Sequence, residues 1–242
     1  IEMMRRTILL LCLSAALAVL LTGCFFRAVD DLYAVPEAPE EYWDLQNKMK
    51  EVKDRGGEYI APLSGEYIQS VQLQDLNGDG IQEAIAFFRV STDEKPLKIY
   101  IYAQRESGYE TYAVIEGAGT AINSVSYEQL DDSPSKEIVV SWQMSDKLHS
   151  LAAYTVEQGE VVELLRTDYA DYRVYDLDQD SQKEIAVIQT GAGEGENWVE
   201  LYNCHGGVVT LESAAPLSHG VSTLVDGGVA TGCLVDNIPA LF

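Results

Sequence analysis

Apolar and polar residues begin to alternate near Tyr67, and the pattern recurs in three similar segments of the chain. Each segment has an alternating stretch, an acidic loop and a strongly apolar stretch, which predicts two β-strands joined by a turn. The segments align without gaps over Val71 to Ala86, Val125 to Val140 and Tyr172 to Val187. Two more strands are predicted after each segment. We therefore expect tandem units of four antiparallel strands, each about 50 residues long.

Four-stranded units at this spacing are typical of the blades of a β-propeller. We place blades at about residues 67–116, 121–167 and 171–215, with an incomplete fourth from residue 220, in a repeat domain that spans 58–242. A propeller has at least four blades. We therefore expect an all-β, partial and truncated propeller, and a sequence that is a fragment of a longer protein.

An amphipathic pattern precedes the repeats. Tyr42, Leu45, Met49 and Val52 recur at spacings of three and four residues. This spacing predicts one short helix within residues 40–57, which ends at a Gly-Gly pair. We expect the helix to pack on the adjacent repeat domain, and the alternative is that it binds a separate partner.

The N-terminus has the pattern of an export signal. Two arginines precede an apolar run from Thr7 to Leu20, which is too short for a stable membrane span. The run ends in Leu-Thr-Gly-Cys24, which resembles the bacterial lipobox. The resemblance implies a lipoprotein signal peptide over residues 1–24, lipidation of Cys24 and an extended tether over 25–39. A signal peptide with a chance cysteine is the alternative.

A lipidated Cys24 implies a bacterial lipoprotein that is anchored in membrane lipid on the extracytoplasmic face, because several acyl chains give stable anchoring. The net charge of the whole chain is −23, and loss of Glu2, Arg5 and Arg6 with the leader makes it −24. This charge repels phosphate backbones, so we exclude nucleic acid as a partner. An exported chain permits a disulfide between Cys204 and Cys233, and we favour the alternative of two separate buried thiols.

The first acidic loop has oxygen-bearing side chains at positions 1, 3, 5 and 9, and glycine at position 6. Calcium takes six to eight oxygen ligands, and a glycine permits the sharp turn that directs alternate groups to one centre. The expected calcium ligands are the side chains of Asp75, Asn77, Asp79 and Glu83 and the carbonyl of Ile81. Three turns rich in aspartate and asparagine, without metal, are the alternative.

The third loop keeps every acidic position but has Ser181 at position 6, at a conformational cost that predicts weaker calcium binding. Its expected ligands are the side chains of Asp176, Asp178, Asp180 and Glu184 and the carbonyl of Gln182.

The second loop begins with Gln129 and has Pro134 at position 6, which cannot adopt positive φ, so we expect no metal there. Because Glu137 persists in this loop, we expect the glutamate at position 9 to bind backbone N–H groups as well.

The first loop, D-x-N-x-D-G-x-x-E between two strands, resembles the FG-GAP or VCBS-type repeat of integrin-α-like propellers. The resemblance covers about residues 66–242 and is poor in the second copy. It implies that the loop between the first two strands of a blade binds calcium. It also implies that the domain serves adhesion or extracellular binding.

The sequence contains no G-x-S-x-G motif and no pair of histidines at metal spacing. We therefore expect a non-catalytic binding, adhesion or structural module whose partner is an unknown extracellular protein or glycan. One alternative is an accessory or substrate-binding part of a glycan-active enzyme, with its catalytic region beyond residue 242. Another is an accessory lipoprotein whose repeats dock on a membrane complex.

Overall fold

A computed structural model describes Pro39, residues 42–190 and 196–217, and the backbone of residues 234–235 and 238–239. The expected signal peptide, the lipidation site Cys24, nearly all of the tether, Cys233 and most of the expected fourth unit lie outside these residues. The described chain contains one short helix and three antiparallel sheets of four or five strands, so its fold is all-β as expected. Within it, no helix is sufficiently long and apolar to cross a membrane.

Helix α1 spans Trp43–Asp54 and is shorter at both ends than the predicted segment. Its Leu45, Met49 and Val52 are buried, as the amphipathic pattern predicts. These side chains pack on one face of the first sheet, where they contact a cluster that includes Ala84 and Phe88. The expected packing of the helix on the repeat domain is therefore confirmed.

The strands follow the predicted order. The first sheet contains β1 (Gly57–Tyr59), β2 (Val71–Gln74), β3 (Glu83–Val90), β4 (Leu97–Arg105) and β5 (Gly108–Gly117). The second contains β6 (Ala121–Glu128), β7 (Glu137–Gln143), β8 (His149–Glu157) and β9 (Glu160–Tyr169). The third contains β10 (Asp171–Tyr175), β11 (Glu184–Thr190), β12 (Asn197–His205) and β13 (Val208–Pro216). A separate two-stranded pair consists of β14 (Leu234–Val235) and β15 (Ile238–Pro239).

From β2 onward, consecutive strands within each of the three sheets pair antiparallel. The first sheet has one strand more than predicted, because β1 pairs with the end of β3 on the edge where β2 pairs with its beginning. Each sheet also has an irregularity in register between its last two strands, after Ile101, Ala153 and Leu201. The common position of these bulges supports the reading of the three sheets as repeats.

The sheets pack face to face. Ile85 and Phe87 on β3 share a core with Ile138 and Trp142 on β7. Val139, which directly follows Ile138 on β7, belongs instead to the core with the third sheet, which includes Ile185. Strands β3 and β7 are therefore buried on both faces, which explains why their sequences are apolar throughout rather than alternating.

Candidate metal sites in the acidic loops

The three acidic loops join the first two main strands of each sheet: β2 to β3, β6 to β7, and β10 to β11. We number nine positions in each loop from Asp75, Gln129 and Asp176. Position 9 is the first residue of the following strand, so pairing of that strand fixes its side chain at the base of the loop.

The glutamate at position 9 has the same role in all three loops. One of its carboxylate oxygens accepts a hydrogen bond from the backbone N–H of the leucine at position 2, at 2.9 Å, 2.9 Å and 2.7 Å in loops one to three. The three glutamates are only 2–3% exposed. The expectation that position 9 binds backbone N–H groups is therefore confirmed.

Burial raises the pKa of all three glutamates, because desolvation disfavours the charged form. The pKa of Glu137 rises to about 7. In the first loop the charges of Asp79 and Asp75 raise the pKa of Glu83 further, and in the third loop Asp178 and Asp180 act on Glu184 in the same way. A cation at either loop would offset this repulsion.

The third loop brings three carboxylates together. Ligand oxygens of Asp176, Asp178 and Glu184 all lie within 4.8 Å of one another. Two of these groups have a buried oxygen that lacks a hydrogen-bond partner within the described chain, namely Oδ1 of Asp176 and Oε1 of Glu184. A buried acceptor without a partner is costly, and a hard cation that takes oxygen ligands would satisfy both atoms. The residues present therefore fit such an ion.

Asp180, the predicted carboxylate of the third loop that lies outside this cluster, has a backbone partner, and so does one oxygen of Asp176. The carboxylate of Asp180 accepts the N–H of Gln182 at 2.7 Å, and the second oxygen of Asp176 accepts the N–H of Ser181 at 3.0 Å. These hydrogen bonds fold the loop around the three clustered carboxylates.

In the first loop the amide of Asn77 lies between two carboxylates. Its Nδ2 group donates to Asp79 at 3.0 Å and to Glu83 at 3.2 Å. Asp75 accepts the N–H groups of Gly78 and Gly80 through its two oxygens, at 2.8 Å and 2.9 Å. Asn77, Asp79 and Glu83 are thus brought together, whereas Asp75 binds backbone N–H groups, and cation binding requires the Asn77 carboxamide to turn its oxygen towards the carboxylates.

Ile81 completes the comparison between the two loops. Its N–H donates to Asp79 at 2.7 Å, which matches the bond between Gln182 and Asp180 in the third loop. The two residues whose carbonyls were predicted as ligands therefore occupy equivalent places in loops of the same backbone geometry.

Two positions in each of the first and third loops have a left-handed backbone. In the first loop these are Gly78 and Gly80, with φ of 73° and 84°. In the third loop they are Gln179 and Ser181, with φ of 67° and 77°, so both carry the strain that glycine avoids. The strain at Ser181 follows from the sequence comparison, whereas position 4 was missed, although the Asn-Gly pair at the start of the first turn is a signal for it.

The second loop differs as expected at position 6, since Pro134 is not among the described residues with positive φ. The second loop also contacts both neighbouring loops. The N–H of Lys136 donates to the carbonyl of Leu76 at 2.8 Å, and the N–H of Lys183 donates to the carbonyl of Gln129 at 2.8 Å. The three loops thus form one continuous hydrogen-bonded row.

A separate polar cleft of about 790 Å³ lies between the edge strands β6 and β10. Its lining includes Ser124, Tyr127, Tyr172, Arg173 and Lys183. Lys183 pairs with Glu128 at 2.7 Å, and Arg173 pairs with Asp171 at 2.9 Å, so the cations of the cleft are neutralised locally. Such a surface suits an uncharged polar ligand better than an anion.

No protein-family model matches the chain, and no curated protein matches it. Among solved structures, the chain is similar to a rhamnogalacturonan lyase PL11 from Bacillus licheniformis, with a TM-score of 0.39 and 16% sequence identity. The match covers 66% of this chain and 35% of the lyase chain, so it spans about a third of that enzyme. A likeness of this size carries no argument about fold or activity.

Proposed function

We propose that the described sheets are calcium-stabilised repeats of the FG-GAP or VCBS type, arranged as blades of a partial propeller. The observation that carries this proposal is the third loop, where Asp176, Asp178 and Glu184 converge and two buried carboxylate oxygens lack partners. Calcium is the cation that fits a flexible loop with only oxygen ligands. The first loop supports the same assignment, because its equivalent positions carry Asp75, Asn77, Asp79 and Glu83.

The module is a non-catalytic binding or structural part of an exported protein, held at a bacterial membrane through Cys24. The sequence of residues 1–24 supports the anchor. The polar cleft between β6 and β10 supports a binding role, because its hydroxyl, amide and tyrosine groups suit a neutral glycan or a polar peptide segment. Calcium acts here as a structural ion that keeps the loops in register with the sheets.

Calcium removal tests the proposal on the full chain. An ion that binds only the folded state stabilises it by about 1.4–2.7 kcal/mol per site when free calcium exceeds Kd ten- to a hundredfold. The melting temperature in calcium should therefore exceed that in EGTA by about 3–10 °C per site. Asp75→Asn and Asp176→Asn should each remove part of this difference.

Asp132→Asn is the matched control, because Asp132 is an exposed acidic residue of the second loop, where no metal is expected. This variant should leave the calcium-dependent difference unchanged. Equal melting temperatures of the unmutated chain in calcium and in EGTA would show that the loops are acidic turns without a structural ion.

A further inference from the structure

The side chain of Gln129 occupies the middle of the second loop. Its Nε2 group donates to the carbonyl of Asp131 at 2.9 Å, to that of Ser133, and to that of Ser135 at 3.2 Å. These acceptors are positions 3, 5 and 7, the alternate positions that supply ligands in the other two loops. An amide NH₂ has two N–H bonds and a partial positive charge, so three oxygens gathered around it resemble the inner shell of a cation.

Positions 1 and 6 differ together between the loops. In the first and third loops, position 1 is an aspartate that accepts the N–H of position 6, Gly80 or Ser181. In the second loop Pro134 has no N–H to donate. Position 1 is here Gln129, which donates to carbonyls. The side chain at position 1 therefore accepts a hydrogen bond where position 6 has a backbone N–H, and donates hydrogen bonds where position 6 has no N–H.

The two buried acidic groups of the second loop, Asp131 and Glu137, are directed to backbone N–H groups. Asp131 accepts the N–H of Ser133 at 2.8 Å and that of Gly207, in the hairpin between β12 and β13, at 3.0 Å. One oxygen of Glu137 accepts the N–H of Leu130. Both oxygens of Asp131 are thus occupied, and the loop closes without a cation.

The second loop also supports its neighbours. A methyl group added at Gly78 of the first loop would lie 2.5 Å from the carbonyl oxygen of Pro134, so the two loops are in close contact. On the other side, the carbonyl of Gln129 accepts the N–H of Lys183 in the third loop. Order in the second loop is therefore transmitted to both candidate calcium loops.

We propose that the Gln129 carboxamide takes the place of a metal ion in the second loop and makes it a metal-independent link between two calcium loops. The role of Gln129 stands on its own contacts, whereas the link between calcium loops rests on the proposed function. The second loop holds its shape when calcium is scarce, so it keeps the first and third loops positioned for binding.

Gln129→Met tests the proposal because methionine keeps the length and loses both donors. In the full chain, this variant should lower the melting temperature by about 2–10 °C in EGTA, and by the same amount or more in calcium, because the loops that Gln129 supports then bind calcium less well. Gln82→Met, at an exposed glutamine of the first loop, is the control and should leave it within about 1 °C. A melting temperature of Gln129→Met equal to that of the control, or a loss seen only in calcium, would overturn the proposal.

Gln129→Asp combined with Pro134→Gly restores the residue types of a calcium loop at positions 1 and 6. Titration with CaCl₂ should show about one more bound ion per chain than in the unmutated protein. No additional ion in a variant with an unchanged circular dichroism spectrum would contradict the proposal. If the unmutated chain binds no calcium, the proposed function fails, while an equal loss for Gln129→Met still supports the role of Gln129.

A measurement on the unmutated chain avoids any failure to fold. The side-chain NH₂ protons of Gln129 should exchange with solvent more slowly than those of Gln82, in EGTA as in calcium. Equally fast exchange at the two side chains would show that Gln129 does not hold the loop.

Discussion

Exchange of serine and glycine at position 6 should change the stability of the first and third loops in opposite directions. Ser181 and Gly80 have the same left-handed backbone, with φ of 77° and 84°. A residue with a Cβ atom adopts this conformation at a cost of about 1–2 kcal/mol, whereas glycine loses about 0.5–1 kcal/mol more entropy on folding. The balance favours glycine at both positions by about 0.5–1 kcal/mol.

Ser181→Gly should therefore raise the melting temperature by about 1–4 °C, and Gly80→Ser should lower it by a similar amount. Packing does not complicate the comparison. A Cβ atom at Gly80 would have no neighbour within 4 Å, and Ser181 is exposed. Thermal unfolding followed by circular dichroism in EGTA measures the backbone effect separately from any effect of calcium.

Ser107→Gly provides the control, because Ser107 is exposed in a turn and is not among the described residues with positive φ. The entropic loss of glycine and the loss of a long hydrogen bond from Ser107 to Glu110, at 3.4 Å, both act there, so the melting temperature should fall slightly. If Ser181→Gly lowers the melting temperature as Ser107→Gly does, the backbone at position 6 carries no strain that glycine relieves.

Three further changes test other parts of the structure. Gly78→Ala should cost about 2–4 kcal/mol in urea unfolding, because the new methyl group meets Pro134 and the backbone has positive φ; an equal cost for Gly80→Ala would contradict the contact. The pKa of about 7 for Glu137 exceeds its value of 4.5 in the unfolded chain, so the stability it contributes is complete below about pH 4.5 and is lost as pH rises through 7. In EGTA, Glu137→Gln should remove this loss. If the melting temperatures of the variant and the unmutated chain differ by the same amount at pH 5 and at pH 8, Glu137 does not cause the pH dependence. Cys24→Ala should abolish incorporation of a labelled fatty acid in bacterial cells, and retained label would rule out lipidation at Cys24.

The strands could be predicted because their residue types indicate which faces are buried. β3 and β7 are apolar on both faces, and each lies between two packed layers. The short strand β1 could not be predicted, because three residues with one buried position show no periodicity. Its pairing with β3 depends on where the chain lies after the end of helix α1.

The ligand positions of the loops were also readable, because alternate oxygen-bearing residues and a glycine form a local pattern. The groups to which a loop amide donates do not follow from its residue type. Asn77 and Gln129 are both amides within acidic loops, yet Asn77 donates to carboxylates and Gln129 to carbonyls. The difference depends on how each loop folds, since three carbonyls gather around Gln129 in the second loop, and residue types alone do not reveal this.

Helix α1 covers one end of the stack of sheets and so distinguishes the first sheet from the others. Leu45, Met49 and Val52 cover the face of the first sheet that lies opposite the second, so no further sheet can be placed there while the helix remains. A ring closed from such repeats would have to hold α1 as a wedge between its first and last sheets, and its seam would differ from every other junction in the ring.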